Sequence, residues 1–238
     1  MENQMVFQRY ELKYLLTLPQ QEAVLRAMAP HVTQDFHSHS SIRNLYLDTP
    51  DFRLIRRSLE KPVYKEKLRI RCYGRSAPAD PVFVELKKKY RSVVYKRRLI
   101  LPQGDALRCI DGTLPWPKTQ IGDEIAYAAG FYSDLRPALF LSYERDAFHG
   151  VEDVQFRITF DSQIRFRLNS LTLCSGTGGI SILPPDRVLM ELKTCGSLPL
   201  WMVHILSSQG LFKTSFSKYG AAYQFITTAR QEGTFHYA

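Results

Sequence analysis

The stretch VFVELKKKYRSVVYKRRLIL, residues 82–101, contains two runs in which apolar and charged residues alternate. Val82, Val84 and Leu86 fall on one face of the first run. Glu85 falls on the other face. A period of two is typical of a β-strand that buries one face and leaves the other polar. Because only the short turn YRS separates the two runs, the stretch predicts a β-hairpin.

The same alternation recurs along the chain. It predicts further strands at KLRIRCY, SIRNLYLDT and VLMELKT, and a second hairpin of LFLSYERDAF and VQFRITFD, which SQIRFRL extends. Helices are predicted at LPQQEAVLRAMAP, at TPDFRLIRRSL with Thr49 as the cap, at TQIGDEIAYAAGFY, at LPLWMVHILSSQG ending on Gly210, and at SKYGAAYQFITTARQ. HVTQDFHSHS and CSGTGGISILPPD are predicted to be loops. The pattern predicts an α+β protein of about eight or nine strands with helices at its edges.

The composition indicates the number of domains, the class of partner and the cell compartment. The 238 residues contain no linker of Pro, Gly and Ser, which predicts a single domain over residues 1–238. A net charge of +9 favours a polyanionic partner, such as nucleic acid, a phosphorylated metabolite, polyphosphate or an anionic membrane surface. The sequence has neither a signal-peptide pattern nor an apolar span of membrane length. With four cysteines far apart, we expect reduced thiols in a cytoplasmic protein.

The polar faces of the predicted strands are strongly basic. They carry Arg9, Glu11, Lys13, Lys67, Arg69, Arg71, Glu85, Lys87, Lys96, Arg98, Arg157, Asp161, Arg165, Arg167, Glu191 and Lys193. For any one strand, a solvated face explains the charges. If the sheet curls into a barrel with this face inside, like charges crowd together and an anion is needed to compensate them. Such a tunnel fits a linear chain of phosphates.

Acidic residues interrupt the basic face. Glu11, Glu85 and Glu191 offer hard oxygen ligands that, together with phosphate oxygens, suit Mg²⁺ or Mn²⁺. Phosphoryl transfer requires mainly cations that neutralise and align the phosphates. The residues therefore favour phosphate chemistry over a Ser/His/Asp or Cys/His nucleophile, for which we find no convincing set.

The chain resembles the VTC domain, the polyphosphate polymerase branch of the CYTH-like triphosphate tunnel metalloenzymes. The resemblance rests on the order and spacing of RYELKY, LYLDT, KLRIRCYG, VFVELKKKY, VYKRR, SYERDAF, RITFD, VLMELK and SFSKYGAAY. It implies a closed, mostly antiparallel β-barrel whose tunnel binds triphosphate. It also implies a transferase that moves the γ-phosphate of ATP to inorganic polyphosphate with Mn or Mg, without nucleic acid and without a membrane span.

Site residues follow from the resemblance, motif by motif. The catalytic set that it implies is Lys13, Arg69, Arg71, Lys87 and Arg157. The phosphate-binding set is Lys96, Tyr143, Arg145, Ser217 and Lys218. Glu191 is expected to be the main metal ligand, while Glu11 and Glu85 orient neighbouring basic side chains or bind the metal through water.

Two positions depart from the related sequences. CYTH triphosphatases carry E-x-E-x-K on the first strand, and Arg9 here replaces the first acid, which disfavours a hydrolase. Ser215 stands where a basic residue is expected at one tunnel mouth. Two alternatives remain beside the polymerase: a metal-dependent triphosphatase of the same fold, and a non-catalytic module that binds polyphosphate or nucleic acid.

Overall fold

A computed structural model describes residues 10–91 and 93–232 of the chain. The strands are β1 (Tyr10–Thr17), β2 (Val32–Asp48), β3 (Tyr64–Tyr73), β4 (Pro81–Tyr90), β5 (Val93–Pro102), β6 (Arg136–Gly150), β7 (Arg157–Arg167), β8 (Ile180–Ser181) and β9 (Arg187–Thr194). The helices are α1 (Leu18–Met28), α2 (Arg53–Leu59), α3 (Gln103–Ile110), α4 (Gln120–Phe131), α5 (Leu200–Ser208) and α6 (Lys218–Gln231). The prediction of an α+β protein with about eight or nine strands is confirmed.

The strands form one sheet in the order β1-β9-β7-β6-β2-β3-β4-β5, with β8 paired to β7. The pairings β1/β9, β7/β9, β2/β3, β3/β4 and β4/β5 are all antiparallel. Within the described residues, β1 and β5 are the two ends of the sheet and do not pair with each other. The prediction of a closed barrel is therefore wrong. Alternation shows which face of a strand is buried, whereas closure depends on strand tilt and stagger, which alternation does not encode.

The described chain divides into two compact units. The first unit contains residues 10–41, 143–164 and 183–217, and the second contains 42–91, 93–142, 165–182 and 218–232. Each unit has its own apolar core. The prediction of a single domain over residues 1–238 stays a prediction.

The core of the first unit is built on the apolar face of β1, β7 and β9. Phe160, Val188 and Met190 are buried there together with residues of α1 and α5. Helix α1 begins with a capping box, in which Thr17 and Gln20 satisfy each other's backbone N–H groups. Helix α5 is followed by Gly210, whose φ of 60° confirms the predicted glycine stop.

The core of the second unit confirms the alternation in β3 and β4. Leu68, Ile70, Val84 and Leu86 are all buried on the same face. The hairpin between β4 and β5 is also confirmed, because Tyr90 pairs directly with Val93. With Leu68 paired to Leu86 and Ile70 to Val84, the register places apolar side chains of adjacent strands side by side.

Helix α2 starts differently from the prediction. Its N-cap is Phe52, which has φ 58°, and not Thr49. The Thr49 hydroxyl instead accepts the N–H of Arg53 at 2.9 Å. The carboxylate of Asp48 accepts the N–H groups of Leu54 at 2.8 Å and Ile55 at 3.1 Å. Two side chains from outside the helix thus satisfy its first donors, so the Thr-Pro signal gave the right helix but the wrong cap.

Two elements differ from the predicted loops. β8 lies within the predicted loop CSGTGGISILPPD. Residues 32–40, also predicted as loop, form the first part of β2. Its sequence has no apolar stripe that would predict a strand. Polar contacts hold it instead, because Asp35 bonds to His149 at 2.8 Å and His39 bonds to Asp146 at 2.8 Å. Helix α3 was not predicted, since its eight residues include Gly104 and carry little helical signal.

Candidate functional site

Charged side chains occupy the face of the strands opposite each core, and they form one cluster in each unit. The Glu191 cluster of the first unit contains Glu11, Lys13, Arg145, Asp161, Glu191 and Lys193. The Glu85 cluster of the second unit contains Arg69, Arg71, Glu85, Lys96 and Arg98. Position in the strands explains both clusters, because alternation places these residues on the side away from the apolar residues.

The carboxylate of Glu191 is buried among three cations. The amine of Lys13 lies 3.5 Å from one carboxylate oxygen. Arg145 lies 3.4 Å and Lys193 lies 3.5 Å from the other oxygen. Lys13 is the direct cross-strand partner of Glu191, which fixes this contact through the β1/β9 register. These three ion pairs place positive charge around both oxygens of the Glu191 carboxylate.

Further contacts hold two cations of this cluster, Arg145 and Lys13, in place. Arg145 donates two hydrogen bonds to the fully buried carboxylate of Asp161, at 2.6 and 2.7 Å. Lys13 donates to the backbone carbonyl of Phe216 at 2.8 Å and lies 3.1 Å from Glu11. The cluster therefore holds three positive and three negative groups, which these contacts position without a ligand.

The pKa values in the Glu191 cluster follow from burial and charge. Burial opposes the charged form of Arg145, but Tyr143, Asp161 and Glu191 raise its pKa well above the usual value. For Lys193, burial outweighs the attraction of Glu191 and lowers the pKa. Arg145 is thus a permanent cation, while Lys193 holds its proton less firmly.

Thr159 lies beside Glu191 in the β7/β9 register. Thr159 is 5% exposed, and its hydroxyl has no hydrogen-bond partner. A buried hydroxyl without a partner is uncommon, because it has lost its water without replacement. It is the one orphaned polar atom of the first unit's described residues.

The Glu85 cluster gathers four cations around a carboxylate that is only 1% exposed. Arg69 donates to one oxygen through Nε and Nη2, at 2.9 and 2.8 Å. Arg98 and Lys96 contact the other oxygen at 2.8 and 2.6 Å. Arg71 lies 3.9 Å away and donates instead to Asn44 at 2.9 Å. One negative charge therefore organises a strongly positive surface.

The ionisation states in this cluster are set by the same contacts. Burial alone would raise the pKa of Glu85, but Arg69, Arg71 and Lys96 lower it far below the usual value, so Glu85 stays charged. Burial lowers the pKa of Lys96 to about 8, although Glu85 opposes the shift and Arg98 adds to it. Lys96 is accordingly a cation that changes charge in mildly alkaline solution.

A row of lysines adjoins the Glu85 cluster. Lys67 of β3 pairs with Lys87 of β4, which in turn pairs with Lys96 of β5. Like charges directly opposite each other destabilise a sheet. With this row, the charged face of the second unit carries six cations around Glu85, which is the composition expected of a surface that binds a multiply charged anion.

The other predicted site residues lie as follows. Arg157, Tyr143 and Ser217 belong to the first unit. Arg157 contacts Asp35, and Ser217 is half-buried. Tyr143 is buried beneath Arg145, whose guanidinium lies 5.2 Å from the centre of the Tyr143 ring. Lys218 is the buried first residue of α6 in the second unit. Ser215 is exposed. Arg9 lies outside the described residues.

One family model, the VTC domain, matches residues 8–227. The chain belongs to the VTC domain family. No protein with a curated function matches it.

Solved structures agree with this assignment at the level of the fold. A candidate adenylate cyclase from Bacillus halodurans superposes on this VTC domain with a TM-score of 0.54 and 16% identity, covering 87% of this chain and 92% of that one. A candidate adenylyl cyclase from Hippeastrum, described as having a dominant triphosphatase activity, gives a TM-score of 0.52 and 16% identity, with 95% and 96% covered. This VTC domain therefore shares the fold of these two proteins.

The donor set of the VTC domain partly fits a divalent metal. Among residues 10–91 and 93–232, no three His, Cys, Asp or Glu side chains are grouped to hold an ion. Glu191 nevertheless offers carboxylate oxygens, and the neighbouring Thr159 hydroxyl has no hydrogen-bond partner. Mg²⁺ is commonly held by one or two carboxylates and completed by substrate phosphates and water. The residues fit a site of that kind, and not one built by the protein alone.

Sequence reasoning missed the contribution of β2. Asn44 receives the hydrogen bond from Arg71, and the Tyr46 hydroxyl accepts from Arg69 at 3.2 Å. The signal was present, because Leu45 and Leu47 are core residues and alternation places Asn44 and Tyr46 on the charged face. No helix in the described part of the VTC domain has the length and apolar character needed to cross a membrane.

Proposed function

We propose that this VTC domain is an ATP-dependent polyphosphate polymerase. It transfers the γ-phosphate of ATP to the end of a growing inorganic polyphosphate chain, with Mn²⁺ or Mg²⁺. The observation that carries the proposal is the ratio of charges on the face of β3, β4 and β5, where six cations surround the single carboxylate of Glu85. Membership of the VTC domain family and the triphosphate tunnel fold support it.

In the reaction, an oxygen at the end of the polyphosphate chain forms a bond to the γ-phosphorus of ATP. The bond from that phosphorus to the β–γ bridging oxygen breaks, and ADP leaves with the electron pair. The protein's task is to hold and align highly charged groups, because little covalent help is required.

The Glu85 cluster binds phosphate oxygens in this proposal. Arg69 and Arg71 present planar groups that can bind a phosphate with two hydrogen bonds, whereas Lys87 and Lys96 act as point charges. Glu85 holds Arg69 and Lys96 in position, which reduces the ordering needed when the ligand binds. This agrees with the role of an orienting acid that the resemblance implies for Glu85.

The Glu191 cluster holds the metal in this proposal. Glu191 is the ligand, Glu11 orients Lys13, and Arg145 and Arg157 bind phosphates, with Tyr143 and Ser217 as further phosphate contacts. In the second unit, Lys218 is proposed as a phosphate-binding residue. A bound divalent cation would neutralise phosphate oxygens during transfer. Triphosphate tunnel enzymes generally depend on divalent metals, which supports this assignment.

A triphosphatase is the second candidate function. It is supported by the Hippeastrum protein of the same fold, which is described as having a dominant triphosphatase activity. The difference between the two reactions is the acceptor, which is water in one and a phosphate chain in the other. Arg9 in place of the first-strand acid favours the polymerase.

The products formed from ATP labelled at the γ-phosphate distinguish these functions. In the presence of Mn²⁺, the purified protein should transfer the label into long polyphosphate chains, which separate from free phosphate when the products are resolved. Free phosphate alone would identify a triphosphatase, and unchanged ATP would identify a binding module.

Glu191→Gln provides the matched test of the metal assignment. It removes the charge but keeps the shape, so we expect a folded protein whose metal-dependent turnover is lost. Lys88→Ala is the control, since Lys88 lies on the opposite face and pairs with Glu124. Full activity in Glu191→Gln would refute the metal role.

A further inference from the structure

The charged face of the second unit ends in an apolar patch. In the β3/β4/β5 register, Arg69, Glu85 and Arg98 form one row across the strands. The next row on the same face is Arg71, Phe83 and Ile100. Tyr73 follows Arg71 two residues later and so lies on this face as well. We call Tyr73, Phe83 and Ile100 the aromatic patch.

The aromatic patch is accessible to a ligand. Tyr73 is 50% exposed and Ile100 is 62% exposed, although both lie in strands. Phe83 is half-buried, and its ring meets the Tyr73 ring edge-on at 5.8 Å. Exposed aromatic and aliphatic groups that adjoin each other are the surfaces on which planar ligands stack.

Arg98 connects the aromatic patch to the Glu85 cluster. Its guanidinium lies 4.4 Å from the centre of the Phe83 ring and donates to Glu85 at 2.8 Å through Nε. Successive rows on one face of a sheet are about 7 Å apart. If the phosphates of a ligand bind Lys96 and Arg98, the group attached to the phosphate chain can therefore contact the aromatic patch.

We propose that the aromatic patch is the subsite for the base and sugar of a nucleoside triphosphate. The proposal rests on the proposed function, in which the Glu85 cluster binds the triphosphate. Charge complementarity fixes the phosphates at the cations, and the apolar end of the same face receives the part of the nucleotide that carries no charge. Tyr73 and Phe83 provide the stacking surface, and Ile100 packs against the edge of the ligand.

Stacking of this kind does not select one base. Every base has a π-face, so aromatic platforms bind bases with little sequence preference. The subsite should therefore separate nucleotides from inorganic phosphate chains, and it should treat ATP and GTP alike. This discrimination lets an enzyme recognise the phosphate donor apart from a phosphate-chain product.

Calorimetric titration of ATP and of inorganic tripolyphosphate tests the subsite. We expect wild-type protein to bind ATP roughly tenfold more tightly than tripolyphosphate, as base stacking on an aromatic side chain typically contributes. Phe83→Leu and Tyr73→Ala should weaken ATP to the level of tripolyphosphate and leave tripolyphosphate unchanged. Tyr127→Ala is the control, because it removes an aromatic side chain of α4 that is 74% exposed in the same unit.

The outcomes separate the two proposals. Equal affinities for both ligands in wild type, or equal weakening of both in Phe83→Leu and Tyr73→Ala, would overturn the subsite while leaving triphosphate binding intact. Failure of wild type to bind either ligand would overturn the proposed function and the subsite with it. Thermal unfolding of each variant identifies any that lose affinity because they fail to fold. If one of Phe83→Leu and Tyr73→Ala does not fold, the other variant provides the test of the subsite.

Discussion

Lys96 shows how burial and charge set the properties of a single residue. Its amine is 2.6 Å from Glu85, yet burial and the neighbouring arginines lower its pKa to about 8. Between that value and its ordinary pKa of 10.5, the unfolded chain binds the proton more strongly than the folded protein does. This residue therefore makes folding more favourable as the pH rises through that range, while it loses the charge that would attract phosphate.

Binding of tripolyphosphate should reflect this titration. We expect the affinity of wild-type protein to fall as the pH rises from 7 to 9, as Lys96 loses its proton. Lys96→Arg keeps a permanent charge and should reduce the loss severalfold. Comparison of the two proteins by calorimetry cancels the titration of the ligand itself. Parallel pH profiles would exclude Lys96 as the titrating group.

Thr159 offers a test of the orphaned hydroxyl beside Glu191. Thr159→Val keeps the shape and removes the hydroxyl, so we expect the free energy of unfolding to stay level or rise by about 1 kcal/mol. The control is Thr194→Val, since the buried Thr194 hydroxyl donates to the Ser197 carbonyl and accepts the Gly196 N–H, so its removal should lower the free energy of unfolding. Urea denaturation measures both. A clear loss of stability in Thr159→Val would indicate that the hydroxyl has a structural partner.

At the scale of elements, helix α2 depends on a residue outside it. Asp48, fully buried at the end of β2, accepts the N–H groups of Leu54 and Ile55 and the hydroxyl of Tyr219 at 2.8 Å. Strand, helix and α6 therefore meet at one carboxylate. Loss of such a group leaves several buried donors without partners.

Asp48→Ala should accordingly lower the free energy of unfolding by roughly 2–4 kcal/mol. Asp105→Ala is the control, because Asp105 pairs with Arg108 at the surface, where ion pairs contribute little. Chemical denaturation of the two variants is the measurement. Equal free energies of unfolding for the two variants would show that α2 does not need Asp48.

Alternation predicted those elements in which one face is apolar. Ile70 and Val84 are core residues on the predicted faces, and the tight hairpin after Tyr90 follows from its turn. The first part of β2 escaped prediction because Asp35 and His39 use polar partners that lie more than 100 residues away in the sequence. Such partners become visible only when the chain is folded.

For the whole molecule, the excess of positive charge is distributed unevenly between the two units. The Glu191 cluster balances its cations with Glu11, Asp161 and Glu191. The Glu85 cluster and its lysine row leave a large positive surplus. The sequence predicted which residues carry these charges, through strand alternation and family resemblance. It could not predict that Glu85 alone would anchor four cations, since that depends on cross-strand register.

Titration of inorganic tripolyphosphate into wild-type protein, Arg69→Ala and Lys88→Ala tests the central claim that the basic face binds a phosphate chain. Both variants lose one positive charge from adjacent strands, but Arg69 lies on the basic face and Lys88 on the opposite one. Arg69→Ala should weaken binding at least tenfold, as loss of a charge-assisted contact implies, and Lys88→Ala should match wild type. Equal affinities of the two variants would contradict the account.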